Sequence, residues 1–209
     1  MKTAEKKVVN SAAQGIQIIQ VTLRGKPGSI LVVHNFSEKA KAEIRDKHLK
    51  KARKAKEERQ PEQEFLAARY LDDQGRECVP VTALKKALIS AATAFGKDLT
   101  KVALRQALFV SAVDGPGPLV PILTSAGESA HGTMREDAVT IGMNVRGLAY
   151  RPEYPDWVLQ IAIEYNPRLI SQEQLLALID QAGWGVGICE GRPEKSSALG
   201  WGRFERVEP

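Results

Sequence analysis

The residues most able to do chemistry lie in and beside one short stretch. Between Ser37 and Gln60 the chain carries ten Lys or Arg against five Asp or Glu, a net of +5. The whole chain has a formal net charge of +5, so the remainder is close to neutral and the basic character is localised. Clustered cations at a pI near 9.2 are the electrostatic footprint of a polyanion partner, which diffuse positive charge is not. The phosphate-neutralising candidates are Lys39, Lys41, Arg45, Lys47, Lys50, Lys51, Arg53 and Lys54, with Lys56 and Arg59 beyond them. The competing reading is a solvated helix held by i,i+4 pairs, such as Glu43 with Lys47 and Asp46 with Lys50.

His34 and Asn35 stand just before this stretch, and either could contact a phosphate or a base edge. Arg135, Arg151, Arg192 and Lys195 read as loop cations beside Gly or Pro, where binding groups are often placed. Trp184, Trp201 and Tyr154 are candidates for stacking on bases, and Trp157 reads as core. Ordinary surface and turn roles compete with each of these assignments.

Other chemistries find little support. The histidines are His34, His48 and His131, with no HxH or HExxH spacing, so no metal or cofactor is expected. There is no nucleophile elbow and no phosphate-binding Gly loop opening a helix. Gly183 to Gly187 follows a helical pattern and does not precede one, so no helix N-terminus faces it. Cys78 and Cys189 are far apart and read as free thiols of a reducing compartment. No run approaches the roughly 20 apolar residues of a membrane span, and the first residues lack a signal-peptide core. The expectation is a cytoplasmic, non-enzymatic binding protein with no membrane association.

The elements that position these groups follow from periodicity. Gly15 to Leu23 alternates as a half-buried strand, and Ile30 to Val33 is a short apolar one. Residues 37–70 read as an inserted basic helical segment, Ser37 being its N-cap and Pro61 closing its charged part. Val81, Leu84, Ala87, Leu88, Ala91 and Phe95 give Val79 to Phe95 a helical core face. Leu108–Val113 and Leu119–Leu123 are predicted strands, 125–137 a mobile loop, and 138–150 strand-like. Residues 151–156 form a rigid connection into a central strand, Trp157–Tyr165, followed by a helix capped by Ser171 and a last strand near 202–207. Reduced to its frame, the order is strand, helix, strand, then strand, helix, strand. That order predicts one α+β domain, 1–209, of ferredoxin-like or RRM-like plan: an antiparallel sheet with helices on one face and an inserted basic lobe.

The segments MREDAVTIG, YRPEYPDWVLQIAIEYN and AGWGVGICEGRPEKSSALGWGRFERV resemble a set of uncharacterised bacteriophage proteins. Those in turn resemble the RAMP superfamily, the RRM-like backbone subunits of CRISPR effector complexes. The resemblance spans about Gly15 to Val207, the basic insertion being variable. It implies an RRM-like fold, backbone binding of single-stranded RNA or DNA, and assembly into a homo-oligomer or filament. His34, Asn35 and the loop cations would line the strand. The chain is shorter than typical effector backbone subunits, which leaves other roles open. A phage single-stranded DNA-binding or annealing protein is one alternative. An anti-defence protein that binds a protein partner is another, and a metal-independent nuclease using His34 is a third.

Overall fold

The computed structural model describes residues 15–35, 44–46, 48–49, 59–141, 145–196 and 199–207. The fold is α+β, and every strand pairing is antiparallel. Its largest sheet has four strands: β1 (Gln17–Gly25), β5 (Leu108–Ala112), β9 (Val158–Tyr165) and β10 (Phe204–Val207). They lie in the order β10-β1-β9-β5. On β9, Leu159, Ile161, Ile163 and Tyr165 alternate inward, and β1 contributes Leu23 with Ile19 and Val21. The pleat therefore gives this sheet one apolar face.

Two helices cover that face. In α2 (Val81–Ala91), Leu84, Ala87, Leu88 and Ala91 are buried, the i, i+3, i+4, i+7 stripe of a core-facing helix. In α4 (Gln172–Gln181), Leu175, Leu178 and Ile179 are buried. The Ser171 hydroxyl accepts from the Gln174 amide and the Gln174 side chain accepts from the Ser171 N–H, a reciprocal capping box. Trp157 is 1% exposed, and its indole N–H donates to the Ser29 carbonyl at 2.9 Å.

Two smaller sheets flank the core. β2 (Leu31–Val32) pairs with β8 (Val145–Tyr154), which pairs along its length with β7 (Thr133–Ile141). β4 (Glu77–Pro80) lies between β3 (Tyr70–Leu71) and β6 (Leu119–Pro121). The short helices α1 (Pro61–Ala67) and α3 (Lys101–Ala107) complete the frame.

Several expectations need correction. The predicted loop 125–137 contains the first half of β7 from Thr133, and residues 124–128 form a tight turn closed by Gly127 N–H to Thr124 O. The expected connection 151–156 is strand up to Tyr154, so Arg151 lies in β8. The core helix begins at Val81 and not at Val79, because Val79 pairs with Val120 in a small sheet that the apolar spacing did not reveal. The basic lobe falls outside the described residues, apart from 44–46, 48–49 and 59–70. Within it the Leu49 amide donates to the Arg45 carbonyl at 3.0 Å, a helical i→i−4 bond.

Candidate nucleic-acid interface

The site is built where β2 ends. His34 lies just past the end of β2. The Gly-rich segment after α4 folds back onto β2, with the Glu190 amide donating to Val32 O at 3.0 Å and the Gly202 amide to Ile30 O at 2.8 Å. Gly202 sits at φ +64°, and a Cβ there would lie 2.0 Å from the Ile188 carbonyl oxygen. Only glycine satisfies both the left-handed backbone and this close approach. Cys189 also has a positive φ, 60°, a conformation that strains a residue bearing a Cβ.

This doubling-back brings Cys189, Glu190, Arg192 and Glu194 beside His34. The opposite wall is the start of α2, with Thr82, Ala83 and Lys86, and Tyr70 and Pro80 also line the space. The result is an open cleft of about 210 Å³. The first turn of α2 has neither a side-chain cap nor an acidic residue, and Thr82 and Ala83 N–H lack intrahelical acceptors. Thr82 and Ala83 line the same cleft as Lys86, which makes no ion pair among the described residues.

The two acids at the rim are engaged. Glu190 accepts from Arg151 at 3.2 Å. Glu194 accepts from the Ser90 hydroxyl and from Arg192 Nε at 3.3 Å, and the Ser90 bond and the cations beside it hold its carboxyl below the usual range. Arg192 also donates to the Cys189 carbonyl at 2.7 Å. Burial pushes the His34 pKa below its ordinary value, with Glu190 opposing and Arg151 assisting, so the imidazole is neutral at pH 7. It would charge only when the pH falls or an anion approaches. Burial pushes the Cys189 thiol up to about 12, so little of it is thiolate at pH 7.

Of the residues singled out from sequence, His34 and Arg192 meet in this cleft. Lys195 is exposed just beyond it, its amide on the Arg192 carbonyl at 2.9 Å. Asn35 acts structurally: its amide donates to Ala68 O at 2.8 Å and its Nδ2 to Arg69 O at 3.2 Å. Arg45 is exposed, and Lys39, Lys41, Lys47, Lys50, Lys51, Arg53 and Lys54 lie outside the described residues.

Arg135 and Arg151 are not loop cations. They oppose each other across β7 and β8. Arg135 pairs with Asp137 and Glu153, both at 2.8 Å, and lies over the Trp201 ring. Arg151 is buried against Asp137 at 2.8 Å and Glu190. Like charges meet in register here because a carboxylate lies against each guanidinium.

Tyr154 offers no stacking face, since it is buried with its hydroxyl on Glu77 at 2.7 Å. Trp201 is half-buried beneath Arg135, and Trp184 is exposed. Sequence reasoning missed Lys86 and Thr82. A polar residue on the outward side of an amphipathic helix carries no local mark of the loop that will fold across it.

Among the described residues, no cluster of three His, Cys, Asp or Glu is placed to hold a metal ion, and no helix is long and apolar enough to cross a membrane. No protein-family model matches the chain, and a search of curated proteins finds no match.

Proposed function

We propose that this chain is a non-catalytic single-stranded nucleic-acid-binding protein of ferredoxin-like or RRM-like plan, similar in its role to RAMP backbone subunits. One observation carries the reading. The cleft that gathers His34, Lys86 and Arg192 lies where the chain leaves β2 for the basic stretch Ser37–Gln60 with its ten cations. A strand held along its phosphates by the insertion passes this cleft, whose donors suit a phosphate oxygen.

The architecture agrees with the reading. Counting only the strands of the large sheet, the spatial order is 4-1-3-2, with a helix between the first and second and another between the third and fourth. That is the order of a split β-α-β fold. Oligomerisation on the strand is part of the proposal. The sheet face away from the helices carries exposed Ile18, Phe109 and Val207 on three different strands, apolar surface suited to a second copy.

The test is fluorescence anisotropy with labelled 30-nucleotide DNA and RNA over a salt series, with light scattering on the same samples. Tight binding that weakens steeply with salt, and mass that grows with occupancy, is the expected result. The DNA-to-RNA ratio separates a replication or annealing role from a guide-type role. No binding to either strand at low salt overturns the reading and favours a protein partner for the basic segment.

A further inference from the structure

Helix α4 does not stop at Gln181. It widens into a π-turn, Ala182–Val186, before the chain reverses at Gly187. Such turns are rare and are found frequently at functional sites. Inside this one Gly183 is buried, and a Cβ there would lie 2.1 Å from the Phe204 carbonyl oxygen. The turn is therefore pressed onto β10 through its glycine, and the next residue, Trp184, stands outward with 58% of its surface exposed.

One side of the indole is occupied. The Arg203 guanidinium lies 4.9 Å from the ring centroid, and Arg203 Nε donates to the Trp184 carbonyl at 3.1 Å. Arg203 has no carboxylate partner among the described residues. Lys26 is adjacent, its amide donating to the Arg203 carbonyl at 3.0 Å. The nearby acid Asp180 is neutralised by a two-point contact with Arg206, at 2.6 and 2.8 Å. The other acid near Lys26, Glu205, is held by Arg24 at 2.7 Å, so the surroundings are an aromatic ring with Arg203 and Lys26 next to it, the pairing that suits a base and its phosphate. The π-turn is also joined to the cleft, since the Glu194 amide donates to Val186 O at 3.3 Å and Glu194 lines the cleft.

The other route to base stacking in this fold is the outer sheet face, and it is poorly equipped. The outward positions of the two central strands are Ile18, Gln20, Thr22 and Arg24 on β1, and Gln160, Ala162 and Glu164 on β9. None is aromatic. Phe109 on the edge strand is exposed with the Lys85 ammonium 4.2 Å from its ring centroid, but its register partner Glu164 makes no ion pair among the described residues, and an unneutralised carboxylate opposes a phosphate backbone.

We infer that Trp184, backed by Arg203, is a base-stacking subsite for the single strand whose phosphates pass the His34–Lys86–Arg192 cleft. This rests on the nucleic-acid reading and assigns the contact to the bases. The indole offers its uncovered face to any base, so the subsite adds affinity without sequence readout.

The test titrates the protein with an oligothymidine of 30 nucleotides and with an abasic strand of equal length. It reads both tryptophan emission and anisotropy. Binding of the thymidine strand quenches emission, and Trp184→Phe loses most of that quench while keeping affinity within about threefold. Trp184→Ala weakens thymidine-strand binding about 10-fold, the scale of a single stacked base, and leaves abasic-strand binding unchanged. Leu169→Ala, at an exposed apolar side chain on neither the cleft nor the outer sheet face, changes neither. Unchanged thymidine affinity in Trp184→Ala, with the wild-type strand still bound, overturns the subsite and leaves the phosphate reading intact. A wild-type protein that binds neither strand overturns both. The side chain is exposed, so far-UV circular dichroism of each variant should match wild type.

Discussion

Arg151 on β8 and Glu190 in the Gly-rich segment are 39 positions apart in sequence, and their side chains meet at 3.2 Å. Through the second guanidinium nitrogen, Arg151 also holds Asp137 of β7 at 2.8 Å. The pair ties the long hairpin to the wall of the cleft. Replacing Arg151 with Met leaves Glu190 without its partner and Asp137 with Arg135 alone, both beside an apolar stem. The expected loss is about 2–3 kcal/mol, below the range for a fully buried pair because Glu190 is part-exposed. Urea unfolding should show a lower midpoint with an unchanged slope. A midpoint within error of wild type would show that the network contributes nothing to stability.

Glu77 is the counterpart in the small sheet. Its buried carboxylate accepts from the Tyr154 hydroxyl at 2.7 Å and the Gly132 amide at 2.8 Å, and it pairs with Arg69 at 3.1 Å. Tyr154→Phe removes one of these donors and is expected to cost about 1–2 kcal/mol. Glu77→Leu strands all three and should cost more than Tyr154→Phe in the same unfolding assay.

His34 gives the chain a pH response with a defined sign. Burial lowers its folded-state pKa below the unfolded value of 6.5. Below about pH 6.5 the unfolded chain takes up the proton first, so His34 subtracts stability as the pH falls and subtracts none above that window. His34→Gln should flatten the difference in melting temperature between pH 7.5 and 5.5. A bound polyanion raises the same pKa, so strand affinity in the wild type should rise over that interval, and less so in the variant.

Burial raises both thiols, Cys78 to about 11 and Cys189 to about 12. At pH 8 the folded protein should react with a disulfide reagent orders of magnitude more slowly than a free thiol, because the thiolate is the nucleophile. Both should titrate at once in denaturant. Fast labelling of the native protein would contradict the packing around Cys189.

Reversing the charge at Lys50, Lys51, Arg53 and Lys54 should weaken strand binding and reduce the dependence of log K on log salt. The slope should fall by about 0.7 for each phosphate that is no longer neutralised. The melting temperature should not move, since a segment so poor in apolar residues adds little to the core.

The large sheet and its two helices were legible because their apolar periods are long and unbroken, from Trp157 to Tyr165 and from Leu84 to Ala91. The β7–β8 hairpin was half hidden. The first part of β7, Thr133 to Asp137, reads as polar loop because Arg135 and Asp137 satisfy each other on a face that no apolar pattern marks. β4 was hidden for a different reason: Val79 serves a strand while Val81 begins a helix, and a three-residue boundary carries no period of its own. The cleft was legible only in part. His34 and Arg192 stand out by type, whereas Lys86 acquires its place from a loop more than 100 residues away.

Asn35 and Ala68 supply a last consequence. Their backbone bond, reinforced by Asn35 Nδ2 on Arg69, fastens together the two ends of everything between them. The chain thus leaves and re-enters the frame at one place, and the described end of the stretch is held to β8 as well, Arg59 donating to the Leu148 carbonyl at 2.7 Å. Closing a loop twice as long costs only about 0.6 kcal/mol more. Variants that lengthen, shorten or recharge the stretch between Asn35 and Arg59 should therefore cost the frame little.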